Sequence, residues 1–279
     1  MKAFQESNKL VSYGTAAGSQ LALRQGQFIP YFQPIVTLST GQLAGFEILA
    51  RWRHPRHGLV SPDQFISLAE KQGWIDTLTL ELLRKAFAAA ADSIPEPLTL
   101  SVNISPVQLR TSNLPALIRK AAEGTGFSLA RLVLEITESA FVQDGARTLA
   151  VLTQLKELGV MLALDGFGYS SLSHLMEYPF DVVKIDETFI ANLTESKASH
   201  ATMAKTIELA HLLDLVVVCE GVETVEQNHE VSALAGDFCQ GFYLSRPITA
   251  KMVGDLCGEC APAWVITDHP RGRSLLDTA

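Results

Sequence analysis

The residues best suited to chemistry close a series of short apolar runs. Glu47 sits in Gly45-Phe46-Glu47-Ile48-Leu49-Ala50-Arg51. After it come Asn103 (Leu-Ser-Val-Asn), Glu135 (Leu-Val-Leu-Glu), Asp165 (Leu-Ala-Leu-Asp), Lys184 (Val-Val-Lys), Glu220 (Val-Val-Val-Cys-Glu) and Gln240 (Phe-Cys-Gln). The runs read as strands, and a helical pattern follows most of them. A barrel of alternating strands and helices builds its site at the C-terminal ends of its strands. Polar side chains delivered there in strand order would form one carboxylate-rich pocket. Any one of them could be a mere polar cap on a strand; the recurrence in order argues for a shared rim. Glu47, Asn103, Glu135 and Asp165 offer oxygen atoms only, which favours Mg²⁺ or Mn²⁺ over Zn²⁺.

The elements that must position these residues alternate regularly. Strands are predicted over 28–36, 42–50, 98–103, 131–136, 160–165, 181–185, 215–220 and 238–243. Ser61-Pro62-Asp63-Gln64 and Thr224-Val225-Glu226-Gln227 both read as capping boxes that open helices. Further helices are predicted through Ala91, from Ser105-Pro106, over 143–158, near 170–177, over 199–213 and near 249–257. The fold class is therefore α/β, a modified TIM-type (β/α)8 barrel. Its first two strands are too close in sequence for a crossover helix, so the first strand should run antiparallel. Residues 1–25 read as a linker or helix, 26–260 as the barrel domain and 261–279 as a polar tail.

The 279 residues are 47% hydrophobic with a formal charge of −8, which provides a large core and no basic stripe for nucleic acid. A small anionic substrate stays compatible, because a bound metal would invert the local field. No apolar run is long enough to span a membrane and no signal pattern opens the chain, so a cytoplasmic protein is expected. Cys219 and Cys239 lie in strand-like runs and read as buried thiols. Cys257 and Cys260 form a lone C-x-x-C without a second ligand pair, which reads as coincidence. The seven histidines show no ligand spacing and read as surface or packing residues.

Several polar residues admit two readings. Lys184 could orient an attacking water or form a structural ion pair. Burial would lower its pKa and neighbouring carboxylates would raise it. Asp186 follows two residues on and should face the same side. Glu220 and Glu223 could hold Lys184 or a water; Glu223 could instead favour the helix N-terminus that follows. Arg51 could grip a phosphate with its planar fork or make a surface ion pair. Phe167 and Tyr169 could flank a base or pack the loop.

Taken together, these stretches resemble the EAL domain, the family of cyclic di-GMP phosphodiesterases. The matching segments are Tyr31-Phe32-Gln33-Pro34-Ile35, Glu47-Ile48-Leu49-Ala50-Arg51-Trp52, Ser101-Val102-Asn103-Ile104-Ser105, Leu134-Glu135-Ile136-Thr137-Glu138, Lys184-Ile185-Asp186, Glu220-Gly221-Val222-Glu223-Thr224 and Gln240 to Pro247. The resemblance implies metal-dependent hydrolysis of cyclic di-GMP to linear pGpG. It implies that Glu47, Asn103, Glu135 and Asp165 hold a metal, and that Lys184 and Glu220 position the nucleophilic water. Gln33, Leu49, Arg51 and Gln240 would contact the dinucleotide, while Glu138 would brace the loop after its strand, with Asp186 and Glu223 in support. Mg²⁺ or Mn²⁺ would be the cofactor and Ca²⁺ an inhibitor. A homodimer and an upstream sensor or partner protein are further implications.

The chain departs from the family at Asp165-Gly166-Phe167-Gly168-Tyr169-Ser170-Ser171-Leu172, where Asp-Asp-Phe-Gly-Thr-Gly-Tyr-Ser-Ser-Leu is usual. Two residues are missing, and the second Asp is lost whether the gap falls after Asp165 or after Gly168. That Asp normally helps hold a second metal. Reduced activity, or a cyclic di-GMP receptor acting through a partner, are the expectations that follow.

Overall fold

Alternation of side chains along the strands decides the architecture. In Leu132–Thr137, Leu132, Leu134 and Ile136 pack outward into the main hydrophobic core, while Val133 points into a separate inner cluster. The same division splits Leu162 and Leu164 from Met161 and Ala163, and Val217 and Cys219 from Val216 and Val218. Strands that are apolar on both faces need a helix layer outside and a filled interior, which a closed barrel supplies.

The computed structural model describes residues 16–111, 113–141, 144–167, 172–194 and 196–259. Among them the strands are β1 (Phe28–Thr37), β2 (Leu43–His54), β3 (Gly58–Val60), β4 (Thr99–Ile104), β5 (Leu132–Thr137), β6 (Met161–Phe167), β7 (Val182–Ile185), β8 (Val216–Cys219), β9 (Phe238–Cys239) and β10 (Ile248–Thr249). β2, β4, β5, β6, β7, β8 and β9 pair in parallel in that order. β1 closes the ring, antiparallel to both β2 and β9. The eight-stranded mixed barrel and its antiparallel first strand agree with the sequence reading.

Four local features differ from that reading. β2 runs on to His54 and folds back as β3, so Glu47 lies within a strand rather than at its end. β10, a two-residue strand after the barrel closes, pairs with β1 and was not expected. The strand expected over 238–243 stops at Cys239, because Gly241 packs directly on the Val222 backbone, where any Cβ would overlap the Val222 carbonyl. The capping box at Ser61 does not form: Pro62–Gln64 is a short 3-10 helix, and Ser61 Oγ donates to Asp63 instead. Phe65, fully buried against Phe28 and Trp52, interrupts the helical run before Ile66–Lys71. The second capping box forms as expected, with Thr224 and Gln227 bonded reciprocally.

A smaller core lies outside the barrel wall. Phe28, Trp52, Phe65 and Trp74 gather there with Ala22 and Leu23 of the helix Ala16–Arg24. No helix among the described residues is long and apolar enough to cross a membrane. Residues 168–171, with Tyr169, and the segment from Cys260, with the tail from 261, lie outside the described residues.

Candidate active site

The interior of the barrel changes character over one step of the strand period. Val133, Ala163, Val182, Val218 and Phe238 fill its lower part. The next residue on the same face of each strand is Glu135, Asp165, Lys184, Glu220 and Gln240. Ser101 and Asn103 repeat the relation on β4. The polar rim is thus a direct product of a period-two pattern whose last inward residue is a carboxylate, an ammonium or an amide.

These side chains meet around one ammonium. Lys184 Nζ lies 2.7 Å from Glu220, 2.8 Å from Glu135 and 3.3 Å from Glu47. Asn103 donates to Glu47 Oε1 at 2.7 Å, and Gln240 Nε2 donates to Glu47 Oε2 at 2.7 Å and to Glu220 at 2.8 Å. Glu135 is 1% exposed and Lys184 2%, so the nest is nearly dry. Its balance is one cation against at least three carboxylates. Burial pushes the Glu135 carboxyl well above the usual range; Glu47, Asp165 and Glu220 push it further, against the pull of Lys184. Burial likewise holds Glu220 up at about 8, with Lys184 opposing and Asp165 and Glu47 adding to the rise. For Lys184 burial works downward, and the carboxylates of Glu135, Glu220, Glu47 and Asp165 outweigh it, leaving the ammonium well above its ordinary value.

Above the nest opens a cleft of about 320 Å³, walled by Gln33, Leu49, Arg51, Asp186, Glu187 and Phe242 among others, with Glu47, Glu220 and Gln240 at its base. Gln33 donates to the Ser245 carbonyl at 2.6 Å, tying β1 to the turn after Gln240. Arg51 donates to the Ala50 carbonyl and lies 5.7 Å from the Tyr31 ring centroid. A bulge in β6 sits opposite Lys184: Leu164 pairs with Val183 and Phe167 with Ile185, leaving Asp165 and Gly166 across from one residue. Gly166 takes the left-handed backbone, φ 69°, that such a bulge needs.

The donor chemistry suits a hard cation. All the converging side-chain acceptors are oxygen, and among the described residues Glu135 Oε2 and Gln240 Oε1 are buried without a hydrogen-bond partner. Among the described residues no three of His, Cys, Asp and Glu stand ready-set around an ion; Glu47, Glu135 and Glu220 are turned onto Lys184 instead. A divalent ion would compete with that ammonium for the same carboxylates.

The arrangement can be placed among known proteins. The family model described as "EAL domain" matches residues 18–247. The chain belongs to the EAL domain family. The cyclic di-GMP phosphodiesterase NbdA of Pseudomonas aeruginosa is 38% identical over 232 residues, covering 81% of this chain and 30% of that protein. The solved MucR phosphodiesterase of the same organism, in complex with c-di-GMP, superposes with a TM-score of 0.79 at 34% identity, covering 85% of this chain and 98% of that one. The manganese and cyclic di-GMP complex of Klebsiella pneumoniae BlrP1 gives a TM-score of 0.71 at 27% identity, over 80% of this chain and 56% of that one. The chain spans about 30% of the length of curated relatives it matches.

Within this EAL barrel the residues read from sequence divide into two groups. Glu47, Asn103, Glu135, Lys184, Glu220 and Gln240 are joined by contacts, and Asp165 acts on them electrostatically. Gln33, Leu49, Arg51, Asp186 and Glu223 line the cleft above. Asp186 also caps the helix Glu187–Ala191 by accepting from Thr188 N–H at 2.8 Å, and Glu223 precedes the capped helix Val225–Ala233. Glu138 opens the short 3-10 helix Glu138–Phe141 directly after β5. Sequence reasoning did not single out Glu187 or Phe242. Phe242 carried a signal, an aromatic residue after a glycine at a strand end, whereas Glu187 had none apart from its place after Asp186.

Proposed function

We propose that the chain hydrolyses cyclic di-GMP, opening one phosphodiester to give linear pGpG. The observation that carries this reading is the buried Lys184 nest, with Gln240, at the base of a cleft whose wall presents Gln33, Leu49 and Arg51. Relatives named as cyclic di-GMP phosphodiesterases, and solved relatives holding the dinucleotide with manganese or calcium, support it.

Glu47, Asn103, Glu135 and Asp165 would hold Mg²⁺ or Mn²⁺, which when bound supplies Lewis-acid stabilisation of charge on the phosphoryl oxygens. Lys184 and Glu220 hold the attacking water, the ammonium donating and the carboxylate accepting. Arg51 offers two parallel donors to a phosphate. Gln240 fixes Glu47 relative to Glu220, so that the two carboxylates keep their separation while Lys184 engages a ligand.

A second reading, a cyclic di-GMP receptor with little or no turnover, is favoured by the shortened loop after Asp165, in which no second Asp follows wherever the two-residue gap is placed. Losing oriented charge near a transition state commonly costs a few kcal/mol, and about 1.4 kcal/mol is tenfold in rate. The two readings separate in a chromatographic assay of the purified chain with cyclic di-GMP and Mg²⁺ or Mn²⁺, beside Glu47→Ala. Product from the parent alone supports the phosphodiesterase. Binding by calorimetry in Ca²⁺ without product supports the receptor. No binding at all sinks both.

A further inference from the structure

The cleft presents an electrostatic difficulty for an anionic ligand. Of the described residues that line it, Glu47, Asp186, Glu187, Glu220 and Glu223 are acidic and Arg51 alone is basic. The whole chain is also negative, at −8. A divalent ion at the base would offset part of this charge, but over the acidic cleft wall a dianionic dinucleotide still approaches against the field unless part of the surface draws it in.

The β2–β3 hairpin has the opposite character. Glu47, Leu49 and Arg51 occupy alternate positions of β2 and all line the cleft. Arg53 is the next residue in that series and should lie about 7 Å further out on the same face. Its backbone is fixed by a hydrogen bond from Arg53 N–H to the Gln27 carbonyl. Trp52, between them, points the other way into the small outer core. Beyond Arg53 the turn carries Arg56 and His57, both exposed, and His54 accepts the backbone N–H groups of both. Neither Arg53 nor Arg56 makes a salt bridge among the described residues. Two guanidinium groups without a salt-bridge partner among the described residues thus stand on a hydrogen-bonded hairpin that continues the cleft-lining face of β2.

We propose that this hairpin is an electrostatic guide, in which Arg53 and Arg56 draw the dianionic cyclic dinucleotide toward Arg51 and into the acidic cleft. The inference rests on the cyclic di-GMP reading of the site. Arg53 and Arg56 act on the encounter, without touching the reacting atoms. Two charges roughly 10–15 Å from a dianion in water should raise association about threefold at ~20 mM salt and hardly at all at ~500 mM, where the screening length is a few ångströms.

The test is stopped-flow binding of a fluorescent cyclic di-GMP analogue, in Ca²⁺, to the parent, to Arg53→Gln/Arg56→Gln and to Arg53→Lys/Arg56→Lys. The glutamine pair should slow association about threefold at low salt with dissociation unchanged, lose that difference at high salt, and be rescued by lysine. Unchanged association at low salt overturns the proposal. So does a loss confined to dissociation, or one that lysine does not rescue, since either marks a direct guanidinium contact. A parent that does not bind overturns the reading of the site itself, which is a separate result from binding that ignores the hairpin charge.

Discussion

At the N-terminal end of the barrel, Asp181 and Asp237 each have a side-chain partner and a backbone donor. Asp181 accepts from Lys156 at 2.7 and 2.8 Å and from Leu162 N–H at 2.8 Å. Asp237 accepts from Val217 N–H at 2.8 Å and lies 3.0 Å from His211 Nε2. Arg131 donates to the carbonyls of Leu98, Ile94 and Pro95. At the C-terminal end the pattern reverses. Glu47, Glu135 and Glu220 share Lys184, and Glu135 Oε2 has no hydrogen-bond partner among the described residues. Removing one partner of a fully matched buried charge is strongly destabilising, whereas a cluster the protein leaves under-neutralised is costly as it stands and marks a candidate ligand site. The two rims bury similar groups, and what separates them is whether the protein alone satisfies them.

The largest test of this contrast is Lys184→Met. If the upper rim is catalytic, hydrolysis of cyclic di-GMP should fall about a thousandfold or more while circular dichroism keeps the α/β signature. A rate within tenfold of the parent would reduce Lys184 to a structural partner of the same kind as Lys156.

The second test belongs to the lower rim. Asp181→Ala strands the Leu162 N–H and removes the partner of Lys156, so urea unfolding should show a loss of about 3 kcal/mol. The rate per folded molecule should stay close to that of the parent. A rate loss beyond the loss of folded protein would mean that the two ends of β6 are coupled, and the division between the rims would fail.

The rims also differ in how far the sequence discloses them. The upper rim was legible because the strand period forces it: after Val133, Ala163, Val182, Val218 and Phe238, the next inward position is polar each time. The antiparallel first strand was legible from the short link between β1 and β2. The lower rim was not, because the pairings of Lys156 with Asp181 and His211 with Asp237 span 25 and 26 residues and follow no period. Hairpin β3 escaped for a related reason: His54-Pro55-Arg56-His57-Gly58 reads as a loop, and only the return of Leu59 against Arg53 makes it a ladder. The end of β9 depended on Val222, nearly twenty positions upstream, meeting Gly241. Contacts of that kind are set by the closed barrel and cannot be read from neighbours in the chain.

The smallest expected effect uses the cation itself. An ion that binds the folded chain and not the unfolded one stabilises it by RT ln(1 + [L]/Kd), which is roughly 2 kcal/mol at about thirty times Kd. Mg²⁺ or Mn²⁺ should therefore raise the Tm of the parent and of Asp181→Ala alike, because the lower rim contributes nothing to the ion. Glu135→Gln should lose the shift, since it removes a buried acceptor that has one oxygen unengaged in the free protein. Its free-state stability should hold or rise, because burial makes the charged form of Glu135 costly and the amide carries no charge. A variant that is stabler alone and blind to the cation is what an under-neutralised ligand site demands. An undiminished shift in Glu135→Gln would place the ion elsewhere and return Glu135 to the structural class of Asp181.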